Sequence, residues 1–305
     1  KHMDTLIGQD HIKRRLDFYL DGKKNNCKIP PILFKGAKGL GKTEFATGFA
    51  KKVGVPFIEL NCGTIRNVEA FFEQVYMPAI MDKDVTLLFD EAHKLPKGLV
   101  NVLLTVLNSG SHKKKTVEVG ESRYEFDFMR QTFMFATTEY DKLFDPFKDR
   151  LTQIEFRPYT AVELGKILKL HTDWVTYKGN TLTTIAKTLR GNARAAVNTA
   201  QEILRYCDVH TISSVGAKEW QDICNTVGIR PFGLSDGEIE VLELLQGHAE
   251  GCTLTMLCAA TGQSRQALQK DIELYLLRKG FMIIDVKRKL TTKGSEALKE
   301  VNKTK

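Results

Sequence analysis

Two clusters in the N-terminal half have the residue types and spacing for phosphate chemistry. Gly36-Ala37-Lys38-Gly39-Leu40-Gly41-Lys42-Thr43 fits the pattern G-x-x-x-x-G-K-[ST]. In such a loop the glycines let backbone N–H groups close on phosphate oxygens, and the helix that follows adds positive potential at its N-terminus. Lys42 is then expected to reach the β- and γ-phosphates of ATP and Thr43 to ligate Mg2+. Further along, the apolar run Val85-Thr86-Leu87-Leu88-Phe89 ends in Asp90-Glu91. An acidic strand end alone reads equally well as a helix cap. Paired with the phosphate loop it reads as a Walker B arrangement, with Asp90 on the metal and Glu91 polarising the attacking water.

The elements that would position these residues are legible from hydropathy. Pro31-Ile32-Leu33-Phe34, Pro56-Phe57-Ile58-Glu59-Leu60, residues 85–89 and residues 131–136 are short apolar runs separated by helix-length segments. That pattern predicts a parallel α/β sheet with helices on both faces and the ligand at the carboxyl ends of its strands. From about Pro158 the pattern turns helical. Thr160 is the expected N-cap and Glu163 closes a capping box, with Leu164, Ile167, Leu168 and His171 as the apolar face. A second helix from Ala193 carries Ala196, Val197, Ala200, Ile203 and Leu204, and the two suggest a small helical domain. After the turn-rich stretch 228–233 come three helical segments, then a β-like pair over 280–286 and 289–292, which is winged-helix order. Lys287, Arg288 and Lys289 fall at the tip of that hairpin and are the expected DNA contacts, reaching duplex phosphates or a minor groove. The predicted domains are 1–157, 158–229 and 230–305.

A net charge of +8 favours an acidic partner such as nucleic acid. No apolar run approaches the ~20 residues that span a bilayer, so no membrane role is expected. The six cysteines form no Cys-x-x-Cys pair, and reduced thiols are expected. The absence of a basic-then-apolar leader points to the cytoplasm.

The phosphate loop and carboxylate pair, followed by a helical lid, resemble the AAA+ class of P-loop ATPases. The resemblance implies further roles. Thr138, at the end of the strand Thr132-Phe133-Met134-Phe135-Ala136, matches the sensor 1 position beside the γ-phosphate. Arg150, in Leu143-Phe144-Asp145-Pro146-Phe147-Lys148-Asp149-Arg150, matches the arginine that reaches a neighbouring subunit's site, so hydrolysis would require a ring. Arg194, in Arg190-Gly191-Asn192-Ala193-Arg194, matches the sensor 2 arginine, with Arg190 as the alternative. Ile7, in Leu6-Ile7-Gly8-Gln9, matches the segment that packs on adenine.

Within that class the chain resembles the RuvB family over nearly its whole length. The likeness includes Leu88-Phe89-Asp90-Glu91-Ala92-His93, Ala136-Thr137-Thr138 and Asp149-Arg150. In the tail it includes Gly233-Leu234-Ser235-Asp236 and Leu274-Tyr275-Leu276-Leu277-Arg278-Lys279-Gly280-Phe281. It implies a hexameric homo-oligomeric ring that moves duplex DNA and drives branch migration at four-way Holliday junctions in recombination and repair. Three places depart from the family pattern: Gly36-Ala37-Lys38-Gly39 where Gly-Pro-Pro-Gly is usual, Ala193 where a proline precedes the lid arginine, and the 112–129 segment. There the family has a hairpin that docks a junction-binding protein. Here Lys113, Lys114 and Lys115 precede alternating Tyr124, Phe126 and Phe128, which suggests a hairpin facing a partner or DNA, or one packed on the core. Two other readings remain: a clamp-loader or helicase-loader type remodeller, and a DNA-binding regulator that uses ATP only to assemble. Asp90-Glu91-Ala92-His93 also spells the box of DEAH helicases, but no second RecA-like domain follows it.

Overall fold

The computed structural model describes residues 3–107 and 113–303, so Lys1, His2 and the His112 that opens the expected 112–129 hairpin lie outside the described residues. The chain divides into two compact units, Lys1–Ile167 with Gly191–Ala195, and Leu168–Arg190 with Ala196–Lys305.

The first unit is built on strands β1 (Ile32–Lys35), β2 (Phe57–Asn61) and β3 (Val85–Asp90), a hairpin of β4 (Lys114–Val119) and β5 (Ser122–Asp127), then β6 (Gln131–Thr137) and β7 (Thr152–Glu155). The main sheet has the order β2-β3-β6-β1-β7 and is parallel throughout. Residues 85–89 of β3 and all of β6 are buried, as expected of parallel strands covered on both faces. Four strands coincide with the four apolar runs. The fifth, β7, reads Thr-Gln-Ile-Glu and buries only Ile154, so hydropathy alone does not reveal it. Its open edge is closed by the helix Asp10–Lys24: Arg15 donates to the Gln153 carbonyl at 2.8 Å and the His11 ring lies 3.0 Å from the Glu155 carbonyl.

The β4–β5 hairpin lies on the core. Tyr124, Phe126 and Phe128 are buried among Phe72, Tyr76 and Phe133, and the Tyr76 hydroxyl donates to the Glu125 carbonyl. The aromatic face is therefore not offered to a partner, because burying those rings is worth more than exposing them. Glu118, Arg123 and Glu125 form the exposed row.

In the second unit, helices Thr181–Thr188 and Ala217–Val227 accompany most of Ala193–His210. Beside them, β8 (Thr176–Tyr177) and β9 (Ser214–Val215) make a two-residue parallel pair that the all-helical expectation lacked. The winged helix follows with helices Asp236–Gln246 and Leu254–Thr261, a third helix from Arg265 through a π-helical turn at Leu268–Glu273 to Lys279, and the hairpin of β10 (Met282–Ile284) and β11 (Arg288–Leu290). A C-terminal helix, Thr292–Lys303, closes the core through Ala297, Leu298 and Val301.

The join between the lid helices and the winged helix is rigidly specified. Gly233 has φ +67, and a Cβ there would lie 2.0 Å from the Thr188 carbonyl oxygen, so no side chain fits. Arg190 donates to both oxygens of Glu238 at 3.1 and 2.7 Å, and its guanidinium carbon sits 3.5 Å from the centroid of the Tyr275 ring. Glu238 is fully buried and also closes the Ser235 capping box. Arg190, the alternative sensor arginine, is thus held by the winged helix.

Candidate functional site

The phosphate loop leaves β1 after Lys35 and enters the helix Lys42–Val53 through Gly41, whose φ of 90 sets the turn. Lys42 is buried, and its Nζ donates to the carbonyls of Gly36 and Ala37 at 2.8 and 2.9 Å. Burial pushes its amine below the usual lysine range and the charge of Arg194 adds to this, while Asp90 and Glu91 act against it. A desolvated cation next to a helix N-terminus is a site that gains from an anion. The Tyr159 hydroxyl donates to the Leu40 carbonyl at 3.1 Å, and burial pushes its pKa up to about 12. The loop is held from the other side by Asn192, whose Nδ2 donates to the Lys38 carbonyl at 3.0 Å, and by the Arg194 N–H, which donates to the Gly39 carbonyl at 3.1 Å.

Asp90 ends β3 in register with Asn61 of β2. Its Oδ1 accepts the Glu91 N–H at 2.9 Å. Glu91 has φ 54, a left-handed conformation costly for a non-glycine residue and concentrated at functional sites. The Glu91 carboxylate accepts a hydrogen bond from the Thr138 hydroxyl at 3.1 Å. The expected water-polarising and sensor 1 residues therefore meet, although they come from different strands. Thr43 and Asp90 offer a hydroxyl and a carboxylate, the hard oxygen donors that suit Mg2+ shared with phosphate oxygens. These donors and the buried Lys42 fit an Mg2+–ATP ligand.

Sequence reasoning gave His93 no role, meeting it only as a letter of the DEAH box and of the family-like run 88–93. Its side chain is 4% exposed, with Nε2 3.4 Å from Glu91 Oε2 and 3.2 Å from Glu139 Oε1, and Nδ1 3.0 Å from Thr137 Oγ1. A histidine following a carboxylate pair is the available signal, but nothing local says where its ring points.

Three other expected site residues lie as follows. Arg150 is half-buried and donates to the Leu104 and Pro146 carbonyls at 3.0 and 2.6 Å, so its fork is folded against its own subunit. Arg194 is exposed near the phosphate loop. Ile7 is half-buried two residues before Gln9, which bonds the Arg157 backbone through both ends of its carboxamide at 2.6 and 3.2 Å.

On the wing, the expectation for Arg288 requires correction. It lies in β11, not at the tip, and its Nε donates at 2.8 Å to Glu273, a carboxylate left buried by the third helix. Its backbone also exchanges two hydrogen bonds with Cys252. A buried carboxylate needs that partner, so the guanidinium is structural. The tip is formed by residues 285–287, so of the three only Lys287 is at the tip; Lys289 also lies in β11, paired with Ile283, and both lysines are half-buried.

Comparison with known proteins follows the same division. Residues 32–159 match the model of the ATPase family associated with various cellular activities (AAA), and residues 231–299 match the RuvB C-terminal winged helix domain. The chain is 26% identical over 294 residues to the Holliday junction branch migration complex subunit RuvB of Campylobacter concisus, covering 92% of this chain and 84% of that protein. The protein of the same name from Sulfurimonas denitrificans is 23% identical over 303 residues, covering 96% and 86%. Among solved structures, the Thermotoga maritima RuvB Holliday junction branch migration motor superposes with a TM-score of 0.76 at 23% identity, covering 98% of this chain and 97% of that one. A P216G mutant of the same protein gives 0.78 at 22% identity, covering 98% of each chain. At that identity the structures speak for the fold.

Proposed function

The chain belongs to the RuvB family of AAA+ ATPases, and from that premise we propose that it is an ATP-driven duplex-DNA translocase. It works as a homo-oligomeric ring, a hexamer by analogy with the family, that drives branch migration of Holliday junctions or similarly branched DNA in recombination and repair. The observation that carries the reading is the meeting of Lys42, Asp90, Glu91 and Thr138 in a unit joined to a winged helix. Three regions divide the work: 1–157 for hydrolysis, 158–229 as the lid, and 230–305 for DNA.

The roles follow from chemistry. Residues 36–43 close backbone N–H groups on the phosphates, and Lys42 leaves the Gly36 and Ala37 carbonyls to take up phosphate charge. Mg2+, when bound, neutralises phosphate charge, and Thr43 and Asp90 would hold it. Glu91 orients and polarises water, and Thr138 fixes the carboxylate that does so. Arg194 contributes charge from the lid side, Ile7 packs on the base, and Arg150 stabilises developing charge in the neighbouring subunit's site after leaving Leu104 and Pro146. The outward row of the 114–127 hairpin is the place for a junction-binding protein partner.

ATP turnover by wild type and Glu91→Gln, measured without DNA and with linear duplex, single strands and a four-way junction, tests the proposal. Turnover that rises with duplex or junction and disappears in Glu91→Gln supports it. Turnover indifferent to every DNA would replace it with the loader or assembly reading.

A further inference from the structure

His93 occupies a position that the hydrolysis scheme does not use. The short 3-10 turn Ala92–Lys94 follows the left-handed Glu91, and it carries the imidazole to the end of β6 beside Thr137, Thr138 and Glu139. Thr137 is fully buried, and its hydroxyl oxygen accepts the Glu139 N–H at 3.1 Å.

The donors and acceptors settle the ring's tautomer. Ionised Glu91 and Glu139 can only accept, so the Nε2 facing both must carry a proton. In the neutral ring Nδ1 is then an acceptor and takes the Thr137 hydroxyl proton. The Thr137 oxygen thus accepts from Glu139 N–H and donates to His93, which locks the ring plane. A single Nε2–H lies between two carboxylate oxygens at 3.4 and 3.2 Å and cannot bond both fully. The Glu91 oxygen that it faces is the same Oε2 that accepts from Thr138.

We propose that His93 is a positioning residue that parks Glu91 against Thr138 and frees it for hydrolysis by passing its Nε2–H hydrogen bond to Glu139. The proposal rests on the reading of Glu91 as the residue that polarises water. No covalent step is involved: one hydrogen bond is exchanged between two carboxylates about a fixed ring. While His93 and Thr138 both donate to Glu91 Oε2, that oxygen is engaged and the two hydrogen bonds draw charge from the whole carboxylate, so its free Oε1 is a weaker acceptor for a water proton. When Glu139 takes the histidine, Glu91 regains that capacity without moving far.

A double-mutant cycle on the full chain with duplex DNA tests the exchange, using kcat, KM, the affinity for a fluorescent ATP analogue and the melting temperature. Glu139→Ala leaves His93 only Glu91 to bond, so kcat should fall about fivefold while KM and analogue affinity stay within about twofold. Glu139→Gln, which keeps an acceptor oxygen, should recover most of that loss. His93→Asn should keep at least about a tenth of wild-type kcat, because Thr138 still holds Glu91, and on that background Glu139→Ala should change kcat by less than about twofold. His93→Gln takes its place if the Asn variant melts early. Equal effects of Glu139→Ala on both backgrounds, or no effect on wild type, would overturn the exchange. Complete loss of turnover in a folded His93 variant would overturn the positioning role. Glu91→Gln run in parallel separates the failures: if it keeps turnover, the reading of Glu91 itself is at fault.

Discussion

The carboxamide of Asn192 fills the space beside Gly39: a Cβ on Gly39 would lie 2.3 Å from Asn192 Oδ1, while Asn192 Nδ2 bonds the Lys38 carbonyl at 3.0 Å. Gly39 also has φ +80, where an L side chain costs about 1–2 kcal/mol before any overlap. Gly39→Ala should therefore weaken ATP binding by about tenfold or more, each decade being about 1.4 kcal/mol. Adding Asn192→Ala should recover part of the loss, since it relieves the overlap but not the backbone strain. Titration with a fluorescent ATP analogue measures both.

If Arg150 acts across a subunit boundary, Arg150→Ala should bind ATP normally and lose turnover by about a thousandfold, the usual scale for a trans arginine. Mixed with Glu91→Gln subunits, it should regain turnover, because some boundaries then pair an intact Arg150 with an intact Glu91. A mixture as inactive as its parents would place Arg150 in its own subunit's structure, where its bonds to Leu104 and Pro146 already put it.

Removing Arg190 would leave the fully buried Glu238 without its bidentate partner. Breaking a buried pair costs about 3–5 kcal/mol, and the lower end applies because the Arg190 side chain is 32% exposed. Urea unfolding of Arg190→Ala should show a loss near that size, and Arg190→Lys should recover only a part, since an ammonium cannot grip both oxygens or lie flat on Tyr275.

The wing should separate into two classes. Charge reversal at Lys287 and Lys289 should weaken duplex binding across sequences and flatten its salt dependence by about 0.9 for each phosphate no longer neutralised. Arg288→Ala should instead lower the melting temperature by exposing the unpaired Glu273, with little change in the salt slope. Binding isotherms at several salt concentrations, with a melt of each variant, distinguish the two.

The parts legible in the sequence are those where a local pattern dictates the physics. The phosphate loop, the strand ending in Asp90-Glu91, the Thr160–Glu163 capping box and the helix from Ala193 each announce themselves within a few residues, and the structure has them there. Partners distant in sequence are not so announced. Strand β7 is recognisable only beside β1, and Arg288 looks like a surface cation until Glu273 is placed next to it. His93 acquires a role only when β6 brings Thr137 and Glu139 to its ring. The lid's short parallel pair and the C-terminal helix escape the sequence pattern for different reasons: two-residue strands carry no periodicity, and the helix begins directly after the wing.

The β4–β5 hairpin keeps its rings inward and its charges outward on alternate residues. Stability and recognition therefore sit on opposite sides of one ribbon, and mutation can act on them separately. Glu118, Arg123 and Glu125 are free to drift with whatever surface they meet, because the packing beneath them stays as it is when they do. Natural variation in this family should then be rapid on the outward row and slow on Tyr124 and Phe126. A change of binding partner would leave its record as a two-residue rhythm of fast and slow sites.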